Sequence, residues 1–246
     1  MDAAQIIRNS IADVQALRRL RMAEPELGEA VAAVKSLQSR RFAGTYADLM
    51  ASPRFGAASR FFLQELYSDR DYSDRDQQFS RIASTLQTLF PQPVVGTAVA
   101  LAELHAQTET LDHDMGHSWR RGPAAASPAL RYAHAWQAVG QPHARQQQLE
   151  RVLRMGQDLA RLTRTPGLRM MLRMMRGPAE KAGLGALQRF LEAGFDTFGA
   201  MARERGAVDQ FLQTIAAREK TLMDLLFQGD PVTCETELQR TLGQAR

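Results

Sequence analysis

The 246-residue chain has one cysteine, Cys234, three lysines, five isoleucines and ten valines. A single thiol excludes an intrachain disulfide, a CxxC redox pair and a zinc ribbon, and makes a cytoplasmic setting the expectation. The shortage of β-branched residues argues against extensive sheet, because pleated strands draw heavily on them. No stretch approaches the roughly 20 apolar residues that span a bilayer. The longest mild run, Val94 to Leu104, carries Glu103. GxGxxG, GxxxxGK[ST] and GxSxG are all missing, which removes local support for dinucleotide, P-loop and hydrolase-elbow chemistry. The first segment, Met1 to Met22, carries Asp2 and Asp13 in an amphipathic pattern. It lacks the basic head and apolar block of a signal peptide and reads as part of the fold.

What is present is a globular composition, 44% hydrophobic and 24% charged, with a net charge of +4. Three lysines leave 28 arginines among the 31 basic residues. These arginines are not gathered beside an aromatic stacking platform, and no helix-turn-helix is readable, so nucleic acid is not an expected partner. The period is helical throughout. Ile7, Ile11, Val14 and Leu17 mark one apolar face, and Leu27, Val31, Val34 and Leu37 a second. Phe61, Phe62 and Leu66 end a third segment, and Ser73 with Asp76 has the spacing of a capping box opening a fourth. A long helix is expected from Val94 to Met115, with Gly116 as its end. Further helices are expected at 128–139, 143–164, 167–176, 179–203 and 206–227, with a short one after Pro231. Ser52-Pro53, Ser127-Pro128, Thr165-Pro166, Gly177-Pro178 and Asp230-Pro231 punctuate the pattern as helix openers. The sequence therefore predicts an all-α, compact bundle of about ten helices with antiparallel and orthogonal packing. It is expected to form one domain over 1–246, with a weak boundary at 118–127.

Chemistry concentrates in three places. All five histidines lie between His105 and His143, and no lysine or arginine occurs from Ile82 to Trp119. His105, Glu109, His113 and His117 are four residues apart, and four residues turn a helix by about 400°, so they form a slanting stripe. Imidazoles and carboxylates one turn apart can share a divalent metal. Glu65 or Asp76 would complete such a site if their helices faced the stripe. Neither HExxH nor the ExxH pair of di-iron bundles is present, and the bland alternative is a polar flank of a core helix. The second place, Phe61 to Asp76, holds five acids and two arginines. Its bland reading is a structural clasp of Asp71, Arg75 and Asp76 at a helix turn. The third, Arg151 to Lys181, carries seven arginines and one lysine against Asp158 and Glu180. There Arg169, Arg173 and Arg176 share a helical face interleaved with Met170, Met171, Met174 and Met175, a combination that suits an adaptable partner surface or an anionic ligand. Cys234 has no base beside it in sequence and is expected to be inert.

Four stretches carry a resemblance: TYADLMASPRF (45–55), FFLQELYSDRDYSDRDQQFSRI (61–82), LAELHAQTETLD (101–112) and LQRFLEAGFDTFGAM (187–201). Together they resemble an uncharacterised family of bacterial, largely proteobacterial, all-helical proteins, over roughly residues 40–228. The resemblance implies a bacterial cytosolic setting. It singles out Glu65, Asp71, Arg75, Asp76, Glu103 and His105 without giving them roles. LAELHAQTETLD is also superficially similar to the proximal-histidine helix of globins, but the other segments do not follow globin spacing, so haem ranks below a divalent metal as a cofactor.

Two functions compete on these readings. The first is a non-enzymatic binding or regulatory protein that engages a protein partner or small anionic ligand through Arg169, Arg173 and Arg176. The second is an iron, manganese or zinc protein with oxidase- or oxygenase-like activity, ligated by Glu65, His105, Glu109 and His113.

Overall fold

The computed structural model describes residues 1–65, 70–123 and 125–245. Thirteen helices and no strand occur among the described residues. They are α1 (Ala3–Ala23), α2 (Pro25–Thr45), α3 (Ala47–Ala51), α4 (Gly56–Glu65), α5 (Ser73–Leu89), α6 (Gln92–Arg121), α7 (Pro128–Val139), α8 (Pro142–Leu162), α9 (Leu168–Met174), α10 (Arg176–Lys181), α11 (Gly185–Met201), α12 (Ala207–Gln228) and α13 (Pro231–Gln244). None is long and apolar enough to cross a membrane. Leu66, assigned above to the end of a helix, and Asp69 of the acidic run lie outside the described residues.

The proline punctuation has its local cause in some places and not in others. Ser127 and Asp230 are true N-caps: Ser127 accepts from the Leu130 N–H at 3.1 Å, and Asp230 from those of Val232 and Thr233. Pro128 and Pro231 then sit in the first turn, where a missing N–H costs nothing. By contrast Ser52 ends α3, and Thr165-Pro166 precedes a turn from which Gly167, at φ 78°, leads into α9. The segment expected as one helix over 179–203 is two. Gly183, at φ 68°, takes a backbone conformation that leaves the α-helix between α10 and α11. Nor does Ser73 cap α5. Tyr72 holds that position without a side-chain cap, and Asp76 turns inward instead.

α6 is the axle. Its 30 residues pack against α1 and α2 on one side and α7 and α8 on the other. It runs past Gly116, which was expected to end it, because there the missing side chain is a packing requirement. A Cβ at Gly116 would lie 2.3 Å from Val31 Cγ2 on α2. α5 lies on α1, α13 bridges α2 and α7, and α12 packs on α8. α11 lies against α4, α5 and α8, and α9 and α10 rest on α11.

An aromatic wedge holds α4 to α11 and α12. The rings of Phe61 and Phe190 lie 5.8 Å apart, and Phe62 meets Phe211 edge-on at 5.5 Å. Each such pair adds about 0.5–1.5 kcal/mol to the roughly 25 cal/mol per Å² gained by apolar burial. The main apolar cluster takes residues from Ala4 to Leu238, on both sides of 118–127. Cys234 belongs to it, its thiol donating to the Leu225 carbonyl at 3.3 Å, and burial pushes its pKa up.

Candidate functional site

The helices do not close completely at the centre. A cavity of about 90 Å³ lies between α2, α4, α5, α6, α7, α8 and α12. At about 30 Å³ per water in the liquid, it has room for about three waters. Its wall is unusually ionic for an interior, with Lys35, Arg41, Arg75, Arg145, Glu65, Glu109, Asp112, Glu219 and His105 all facing it. The cost of desolvating so many charges has to be offset by pairing. The side-chain geometry shows how this is done.

α6 contributes Leu101, Leu104, His105, Thr108, Glu109 and Asp112. These positions follow the 3.6-residue period, so the polar stripe and the apolar stripe share one buried face. His105 Nε2 lies 2.9 Å from Asp76 Oδ2 on α5, and that same oxygen accepts from Arg18 of α1 at 2.6 Å. A carboxylate held against one ring nitrogen fixes the orientation of the imidazole and favours the proton on that nitrogen. Burial alone would raise the Asp76 pKa, but the His105 hydrogen bond and the charges of His105, Arg18 and Arg75 outweigh it, and the carboxyl stays below its usual range. Arg75, also on α5, lies 3.5 Å from Glu65 Oε2 and 3.8 Å from Asp76 Oδ1. Its guanidinium is sandwiched over the rings of Tyr72 at 4.0 Å and Phe190 at 4.8 Å.

Glu109 is held by two cations. Arg21 donates to its Oε2 at 2.6 Å and to its backbone carbonyl at 2.9 Å, and Lys35 donates to Oε1. Burial pushes the Glu109 carboxyl up, yet the charges of Lys35 and Arg21 overcome it and set the pKa at about 2. Its ordinary value is 4.5. A depressed carboxyl stabilises the fold fully above the unfolded value and loses that contribution as pH falls through the folded one. Between pH 4.5 and about 2, wild-type protein should therefore lose about 3 kcal/mol of stability from this residue. Melting curves at pH 5, 4, 3 and 2 should show a shallower decline for Glu109→Gln. Parallel declines would mean that the pair contributes nothing net.

Asp112 is the contrasting carboxyl. It is 3% exposed, its Oδ1 has no hydrogen-bond partner, and Gln38 bonds both its side chain and that of Tyr132. Burial raises its pKa, opposed only in part by Lys35, Arg145 and Gln38. Across the cavity Arg41 pairs with Glu219 at 2.5 Å, and Tyr46 donates to the same oxygen at 2.8 Å. Arg145, 5% exposed, lies 4.2 Å over the Trp136 ring and donates to Gln148 at 3.4 Å.

Of the four expected metal ligands, Glu65, His105 and Glu109 reach this cavity and His113 does not. His113 instead meets His117, with Nε2 atoms 3.2 Å apart and rings edge-on. Burial, then the neighbouring His117, lowers the His113 pKa. Glu65, His105 and Glu109 are each engaged by Arg75, Asp76 or the Lys35 and Arg21 pair. Among the described residues no group of three or more His, Cys, Asp or Glu is placed to hold a metal ion. The expected clasp divides in two. Asp71 accepts from the Ser73 N–H at 2.9 Å and from its hydroxyl just before α5, whereas Arg75 lines the cavity and Asp76 lies behind its wall, bonded to His105 and Arg18.

The arginines of α9 and α10 largely face α11. Arg169 donates to Asp196 at 2.8 Å, and Arg176 grips Glu192 at 2.5 and 3.2 Å. Arg169, Arg173 and Arg176 are all exposed, as are Met170 and Met174, and two of the three arginines are offset by carboxylates of α11.

Arg18, Arg21, Lys35, Arg41, Asp112, Arg145 and Glu219 went unrecognised in the sequence. A signal existed for some of them. Glu219 is one turn from Ile215 and one from Met223 on an apolar stripe, and Lys35 is one turn from Val31. An isolated charge on a core face marks a buried ion pair.

No curated protein and no solved structure matches the chain. A family model described as a domain of unknown function does match, over residues 17–233, which takes in every cavity residue named above. The chain belongs to this all-helical DUF8198 family.

Proposed function

We propose that the protein binds a small organic anion in the cavity at the centre of the bundle. The observation that supports this is the convergence of four inward cations, Lys35, Arg41, Arg75 and Arg145, on a space large enough for a ligand head group. A fold selected for stability alone has little reason to keep them, since buried ion pairs replaced by well-packed apolar side chains are often neutral or stabilising. Guanidinium forks suit a carboxylate or phosphate, and His105, oriented by Asp76, adds a hydrogen-bonding group on the same wall. Burial disfavours the charged form of Asp112, which lessens the negative charge that the wall opposes to an anion.

A ligand that binds only the folded state raises the melting temperature by mass action, with about 2.7 kcal/mol gained at 100 times its dissociation constant. Acetate, succinate and inorganic phosphate, each titrated in a thermal-shift assay, should divide into binders and non-binders. The shift should disappear in Arg145→Met, a variant expected to keep the helical circular dichroism of the wild type. Absence of any shift, or a shift that survives in Arg145→Met, would count against the cavity as the site.

A further inference from the structure

The polar cavity has an apolar neighbour. A second internal space, also about 90 Å³, lies beneath α9, walled by residues that include Phe79, Leu86, Val94, Leu172, Phe190 and Leu191. Among the described residues of its lining, Thr97 carries the one polar side-chain atom, and that hydroxyl already donates to the Pro93 carbonyl at 2.9 Å. Water in this space would find almost no partners. Left empty, it would deny its lining the dispersion contacts of a packed core. Hydrocarbon is the occupant whose chemistry fits.

Two residues join the spaces. Leu101 on α6 lines both. Arg75 lines the polar cavity, and its guanidinium lies 4.8 Å over the ring of Phe190, which lines the apolar one. Any anion paired with Arg75 is thus placed beside the aromatic wall of the apolar space. We infer that the ligand is an amphipathic carboxylate, its head among Arg75, Lys35 and Arg145 and its unbranched aliphatic tail passing Leu101 into the apolar space beneath α9. At about 30 Å³ per water-sized group that space holds about three carbons, and the carbons that pass Leu101 add to the length of the tail. This inference rests on the anion reading above and adds to it a chain-length preference, which can fail separately.

The experiment is a calorimetric titration of the full chain with acetate, butyrate, hexanoate, decanoate and hexan-1-ol. Each methylene taken from water into an apolar pocket strengthens binding by about fourfold. The dissociation constant should therefore fall by that factor per methylene up to hexanoate and level off before decanoate, while hexan-1-ol, lacking the charge, binds far more weakly than hexanoate. Ala98→Leu, which fills the apolar space from α6, should erase the chain-length gain and leave acetate binding unchanged. Thr97→Leu serves the same purpose if Ala98→Leu does not fold. A flat series from acetate to hexanoate, or a gain that survives in both variants, overturns the amphipathic ligand and leaves anion binding standing. Failure of every carboxylate to bind overturns both.

Discussion

Arg41→Ala should lower the melting temperature by roughly 10 °C. The guanidinium and the Glu219 carboxylate are paired at 2.5 Å between α2 and α12, and both side chains are close to fully buried. Removing the cation leaves the buried Glu219 carboxylate facing the Tyr46 hydroxyl, which donates to it at 2.8 Å, without its ion-pair partner. A carboxylate stranded in this way costs about 3–5 kcal/mol, and in a protein of this size each kcal/mol moves the melting point by roughly 2–4 °C. The double variant Arg41→Met/Glu219→Leu should recover most of the loss, because the penalty comes from the orphaned charge and not from the absence of the pair. If the double variant melts no higher than Arg41→Ala, the pair itself is a net source of stability.

Gly44→Ala is expected to be about as damaging, for a different reason. A Cβ there would lie 1.8 Å from the Thr241 carbonyl oxygen and 2.8 Å from its carbon. Both obstacles are backbone, so no rotamer change relieves them, and α2 must move away from α13. Ordinary overpacking costs about 1–3 kcal/mol. Here the top of that range, about 3 kcal/mol, is the expectation, read as a shift in denaturant midpoint. Gly96→Ala is the control. It sits in α6 with nothing within 4 Å of the added carbon, and removing a mid-helix glycine should stabilise by up to about 1 kcal/mol. Equal losses in the two variants would mean that the α2 and α13 contact does not set the cost.

The helices were readable because apolar residues recur at helical spacing over long segments, a pattern that Ile7 to Leu17 and Leu27 to Leu37 carry without interruption. Their ends were less so. Gly116 reads locally as a stop and is a packing position, and only the approach of Val31, 85 positions away in the chain, distinguishes the two. The same limit applies to the site. Spacing placed His105 and Glu109 on one face of α6, but whether His113 followed them depended on where α8 and α12 lie. Arg75 and Asp76 were noticed as charges at a helix start, and the partners they meet, Arg18 on α1, His105 on α6 and Phe190 on α11, are not encoded in the local sequence. What single-helix periodicity cannot express is which charged residue on one helix meets which on another.

The central position of α6 also bears on how the chain is made. α1 and α2 emerge before α6 and α13, yet it is these later helices that cover the face α2 buries. About 185 residues separate the end of α2 at Thr45 from the start of α13 at Pro231. At about 5–20 residues per second, α2 waits roughly 10–40 s at the ribosome before its second partner exists. During that interval Leu27, Val31, Val34 and Phe42 offer an apolar stripe to any chaperone nearby, and Lys35 and Arg41, which divide that stripe, keep it from being uniformly sticky until Glu109 and Glu219 arrive to neutralise them.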